Sequence, residues 1–210
     1  MSEPSVPPNS GCISVARGDF DGDGNEDTFL VFAHPVGTVM DHLTYQWRAR
    51  LVGATAHPQD LRIRQGKPGV YPRALAAVDA NGDGRAEALV RMDAGASNDF
   101  IGLFSLEGSR IERVRVAGQG PLVLSVGGAA LFGSGAECRN PGSARGAELA
   151  ILGIYTRDGR RYNWEKELYR WEGIDLFQVD RRNGVIVSRG DNDPRLQRFW
   201  QFRCGSVLVG

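Results

Sequence analysis

The sequence predicts an all-β fold of antiparallel four-stranded propeller-type blades, three plus a partial fourth, which is too few to close a ring. An acidic loop between two apolar strands recurs along the chain, and its closing acids Asp27, Glu87 and Glu148 are spaced 87 − 27 = 60 and 148 − 87 = 61 residues apart. Short β-type runs fill the intervals. No segment sustains a 3.6-residue apolar period, so little helix is expected.

Each copy reads as strand, loop, strand. The first runs Val15 to Phe32 around the loop Asp19 to Asp27, and the second runs Leu75 to Met92 around Asp79 to Glu87. The third, from Cys138 to Leu152, keeps the outline and has lost the acids before Glu148. After the first loop, Thr44 to Val52 and Leu61 to Arg64 read as strands, and after the second, Phe100 to Leu106 and Arg110 to Val116 do. Hairpin turns are expected at Glu107-Gly108, Asp158-Gly159, Glu172-Gly173 and Asn183-Gly184. The blades then occupy about 12–70, 71–127 and 128–187, with a partial unit at 188–210. Together, residues 12–210 form one domain behind a polar, proline-rich lead-in of residues 1–11, which is expected to be disordered and lacks the apolar core of a signal peptide.

The two acidic loops carry the chemistry. Calcium takes six to eight oxygens at about 2.3–2.6 Å. A nine-residue loop with oxygen-bearing side chains at positions 1, 3, 5 and 9 wraps around one point, while position 7 offers its backbone carbonyl. Loop one supplies Asp19, Asp21, Asp23 and Asp27, with Asn25 at the carbonyl position. Loop two supplies Asp79, Asn81, Asp83 and Glu87, with Arg85 at the carbonyl position. Gly24 and Gly84 stand sixth, where the chain must turn sharply. Two calcium sites are therefore expected, the first tighter because it has one more acid. An EF-hand needs a bidentate Glu at position 12, and Leu30 and Val90 stand there instead. The segments after the loops, Thr28 to Phe32 and Ala88 to Met92, read as strands rather than the helix of a dockerin-type loop. The ions would be structural, since a wrapped calcium leaves little room for substrate and is a weak Lewis acid beside zinc.

These loops and their spacing resemble the FG-GAP/VCBS repeats of integrin α-subunit heads and of many secreted bacterial proteins. Loop one matches the family motif at every metal position, loop two matches it with Asn and Glu replacements, and the third copy departs from it. The resemblance implies blade-type repeats and a calcium-stabilised recognition or adhesion module, secreted or on a cell surface, that binds a protein or a glycan. An enzyme of another class, a hydrolase or lyase with its site across the blade loops, is the alternative reading. An open arc of blades leaves its end flanks to be covered by a twofold homodimer or by the chain termini.

Composition narrows the partners. The chain has 25 basic and 25 acidic residues, and this zero net charge gives no general attraction to nucleic acid or to anionic membranes. No apolar run reaches the roughly 20 residues of a membrane helix, so no membrane insertion is expected. Lysine occurs only at Lys67 and Lys166, an arginine bias in keeping with a GC-rich bacterial genome. Of the three cysteines, Cys138 takes the place of the leading Asp in the third copy, and Cys204 follows 204 − 138 = 66 residues later. A bond between them would staple the chain end onto the unit that lost its loop acids, leaving Cys12 free. His34, His42 and His57 match no metal spacing. Two Arg-Gly-Asp triplets, ending at Asp19 and Asp191, are read as a calcium loop and a polar turn. The aromatic residues of the last third, Trp164, Trp171 and Trp200 with Tyr155, Tyr162 and Tyr169, are read as packing between blades, with a sugar- or peptide-binding face as the alternative.

Overall fold

The computed structural model describes residues 8–39, 42–55, 59–64, 69–139, 146–190 and 193–210. The chain is all-β with mostly antiparallel pairing. Part of the expected lead-in (residues 1–7), together with His57 and Asp191, lies outside the described residues, as does the side chain of His42.

Strands β1 (Gly11–Gly18), β2 (Asp27–Val39), β3 (His42–Val52) and β4 (Leu61–Ile63) form a four-stranded sheet in sequence order. The next segment begins the same way, with β5 (Arg73–Val78), β6 (Glu87–Ala94), β7 (Asn98–Glu107) and β8 (Arg110–Arg113) pairing consecutively. It does not end there. The first half of β7 also pairs with β11 (Leu124–Ala129), so the sheet continues through β12 (Phe132–Arg139), β13 (Glu148–Thr156), β14 (Arg161–Glu172) and β15 (Asp175–Val187). Between β8 and β11 lie two short strands, β9 (Arg115–Val116) and β10 (Gly120–Pro121), which pair with each other.

β9 runs parallel to the start of β15, with Arg115 opposite Asp175. Because β8 and β9 are one continuous stretch, with Val114 N–H donating to the Leu103 carbonyl, the pairing that leaves β7 through β11 returns to it through residues 110–116. A helical turn α1 (Pro194–Gln197), a 3₁₀ turn at Arg198–Trp200 and a hairpin of β16 (Phe202–Cys204) and β17 (Val207–Val209) complete the chain, with β16 alongside β12. Asp193 caps α1 by accepting from Arg195 N–H. No helix among the described residues is long and apolar enough to cross a membrane.

Apolar side chains pack in three layers, one between the two sheets and two on faces of the larger sheet, and the two-residue period of a strand explains them. In β6, Ala88, Val90 and Met92 pack towards β1–β4 against Phe29, Val31 and Ala49, while Leu89 points the other way towards Leu149, Tyr169 and Leu176. In β13, Leu149 joins that second layer, and Ala150, Leu152 and Ile154 form a third with Leu196 and Phe199 of the C-terminal turns. Strands buried on both faces need continuous apolar runs, which is what Ala88–Val90 and Leu149–Leu152 provide. The outer face of the first sheet is closed differently. Arg50 lies over the Phe32 ring at 5.5 Å and forks onto Asp60 with bonds of 2.7 and 2.8 Å.

Three of the four expected turns fall between strands, and one does not. Asn183-Gly184 sits in the middle of β15 and makes no hairpin. Gly184 is paired with Trp164, whose indole would stand 2.9 Å from any added Cβ. The glycine is there to admit the indole across the sheet. The expected disulfide is present: Cys138 is bonded to Cys204 and Cys12 is a free, exposed thiol.

Candidate metal centre

Each acidic loop joins the first two strands of its sheet, and each is anchored alike. Gly18 pairs with Asp27 across β1 and β2, and Val78 pairs with Glu87 across β5 and β6. The closing acid turns back under the loop and accepts the N–H of the loop's second residue. Asp27 takes it from Phe20 at 3.0 Å and Glu87 from Ala80 at 2.8 Å. The leading Asp then accepts from both glycines of its loop, Gly22 and Gly24 onto Asp19, Gly82 and Gly84 onto Asp79, at 2.6–3.1 Å. Position 3 accepts from the N–H of position 5, and position 5 from that of position 7, in both loops. All four glycines have φ between +75° and +89°, which any residue with a Cβ adopts at a cost. The glycine at position 4 is as necessary as the one at position 6.

In loop one these bonds draw carboxylates together. Asp19, Asp21 and Asp27 each bring an oxygen to within 4.8 Å of the others, and no other such trio of acidic, His or Cys side chains occurs among the described residues. Two oxygens on one calcium can stand at most about 4.6–5.2 Å apart, so the three oxygens fit a single ion. Asp23 is not part of this trio. Thr55, which follows β3, donates to Asp21 Oδ2 through its N–H and its hydroxyl, both at 2.7 Å. These bonds, the N–H first, hold the Asp21 carboxyl below its usual range. Asp27 is almost fully buried, and burial pushes its carboxyl up, with the charges of Asp21, Asp23 and Asp19 adding to the push.

Loop two has the same backbone plan and different side-chain partners. The Asp83 carboxylate is engaged by the Arg85 guanidinium at 3.2 Å, and Asn81 Nδ2 donates to Glu87 Oε1 at 3.1 Å. Asp79, Asp83 and Glu87 do not form a trio as close as that of loop one. Glu87 is fully buried, and its carboxyl is pushed up to about 8 by burial, with Asp83 and Asp79 contributing through their charges. Replacing it is expected to be costly. Glu87→Ala leaves the buried Ala80 N–H without an acceptor and should lower unfolding stability by about 1–3 kcal/mol, read as a shift in the denaturant midpoint at unchanged slope.

The two loops touch. Ala86 N–H donates to the Asp19 carbonyl at 2.7 Å, and the Arg85 side chain lies across Gly22. A Cβ on Gly18 would stand 2.9 Å from that of Ala86 and 3.0 Å from that of Ala77, so the absence of a side chain there sets how closely the strands approach. The sequence marked the acids of both loops, of which the structure brings Asp19, Asp21 and Asp27 together and leaves Asp23 outside. Sequence reasoning missed Gly22, Gly82 and the Thr55 clamp on Asp21, and the last of these leaves no local signal across 34 residues. No protein-family model, curated protein or solved structure matches this chain.

Proposed function

We propose that this chain is a calcium-stabilised recognition module of the FG-GAP/VCBS kind, exported to an oxidising compartment, where it binds a protein or glycan partner. The observation that carries the reading is the convergence of Asp19, Asp21 and Asp27 within the span of one ion's coordination sphere. Calcium, when bound, would neutralise carboxylates that otherwise repel one another. The chain's own contribution is to hold them in place, Asp21 through Thr55 and Asp27 through Phe20.

Three further features support the reading. Loop two repeats the backbone hydrogen bonds of loop one 60 residues on, as in a repeated unit. The first acidic loop belongs to a four-stranded antiparallel sheet whose strands follow one another in sequence order, as in a propeller blade. The disulfide is suited to an oxidising environment. Loop one is the stronger site in this reading, since in loop two Asp83 is drawn to Arg85. Calorimetric titration with calcium decides it: heat is expected at sub-millimolar to millimolar concentrations, and its absence up to about 10 mM, beyond the range of weak extracellular modules, overturns the assignment.

A further inference from the structure

A cleft opens between β4 of the first sheet and β8 of the second, beside the bridge from Gln59 to Arg110. Its volume is about 920 Å³, and a second hollow of about 480 Å³ adjoins it across β4, sharing Arg62, Ile63 and Arg64. The floor is apolar, formed by Ile63, Met92, Phe104 and Ile111. The walls are basic. Arg62, Arg64 and Arg110 are exposed, and none has a carboxylate partner among the described residues. Arg113 lines the same cleft, donates to the Leu122 carbonyl and keeps a buried Nε without a partner.

The cleft's two acids do not cancel this charge. Asp60 is already forked by Arg50, which leaves Glu112 to face four guanidinium groups. The second hollow adds aromatic surface. Tyr45 is about half exposed beside Trp47, and Trp47 packs on the exposed Tyr71 with ring centres 5.7 Å apart. Unpaired guanidinium groups recognise carboxylate or sulfate through two parallel bonds, and a tyrosine face offers a sugar ring an apolar platform. A neutral glycan would leave the arginines unused, and an acidic peptide would leave the aromatic platform unused.

We propose that this cleft binds an acidic oligosaccharide, with its carboxylate or sulfate groups on Arg62, Arg64 and Arg110 and a sugar ring against Tyr45. The proposal rests on the reading of the chain as a recognition module and gives that module its ligand class. Four probes are titrated into the full chain with calcium present: a galacturonate tetramer, a heparin-derived tetrasaccharide, neutral maltotetraose and hexaglutamate. At least one acidic sugar is expected to bind, with neutral sugar and peptide roughly tenfold weaker or more, and with affinity falling as salt rises. Binding of the galacturonate tetramer shows that carboxylate suffices, and binding of the heparin-derived sugar alone shows that sulfate is required. Arg62→Gln combined with Arg64→Gln, both at exposed positions, should weaken binding at least about tenfold while thermal unfolding stays unchanged, and Tyr45→Ala should weaken it separately.

Equal binding of the neutral sugar, tighter binding of hexaglutamate, an undiminished affinity in the arginine double variant, or no binding of either acidic sugar would each overturn the cleft assignment. The calcium reading stands or falls apart from it. Calcium binding without sugar binding removes only the cleft ligand, and sugar binding through the arginines without any calcium response removes only the metal site.

Discussion

Withdrawing calcium with EDTA is expected to lower the midpoint of thermal unfolding by about 5–10 °C, and restoring it to about 100 times the dissociation constant should recover the loss. The estimate follows from linkage: a ligand at that excess that binds only the folded state adds about 2.7 kcal/mol, and each kcal/mol moves the midpoint of a chain this size by about 2–4 °C. Asp21→Ala should remove most of the calcium response, because it deletes one of three convergent carboxylates and frees the Thr55 N–H and hydroxyl that hold it. Asp23→Ala is the informative companion. Asp23 stands outside the close trio and accepts from Asn25 N–H, so its loss should cost a smaller part of the shift. A calcium response of the same size in wild type and Asp21→Ala would exclude loop one as its source.

Loss of the Cys138–Cys204 bond is expected to have a comparable or larger effect. The bond closes a loop of 66 residues, for which the chain-entropy model gives about 4 kcal/mol, or roughly 8–16 °C in midpoint for this chain length. The local setting adds to that. Cys204 is buried in the layer shared with Ala80, Leu149 and Phe202, and its sulfur lies 3.9 Å from the Asp79 carbonyl at the start of loop two. Cys138→Ala with Cys204→Ala, compared with the oxidised wild type by differential scanning calorimetry, reads the effect. A loss below about 1 kcal/mol would show that the C-terminal hairpin is held by its apolar contacts alone.

What the sequence disclosed was whatever is encoded locally. Asp, Asn and Gly at fixed offsets specify the acidic loops, because their side chains satisfy their own backbone within a few residues and glycine supplies the positive φ. Alternating or continuous apolar runs specify the strands. The cysteine pairing was legible because Cys138 stands in register with Asp19 and Asp79. Features that depend on a distant partner stayed hidden. Asn183-Gly184 carries a strong hairpin signal, yet Trp164 opposite it decides that the glycine serves packing. The Thr55 clamp, the second partner of β7 and the parallel pairing of β9 with β15 are likewise set by residues tens of positions away. The arginine cleft belongs to this class too, since Arg62 and Arg110 share a surface only after β4 and β8 have been brought together.

The return of the pairing circuit to β7 has a consequence for the order in which the molecule assembles. Most ladders here are local hairpins, which cost little chain entropy to form, but Arg115 must find Asp175 across 60 residues before β9 can dock. Closure therefore belongs late in folding, after the β12–β15 meander exists to receive it. Until then, β15 carries an open edge at Asp175 and Leu176, the kind of edge through which two nascent chains can exchange strands. The Arg115–Asp175 pair, bonded at 2.9 and 3.1 Å, marks the point where that interval ends.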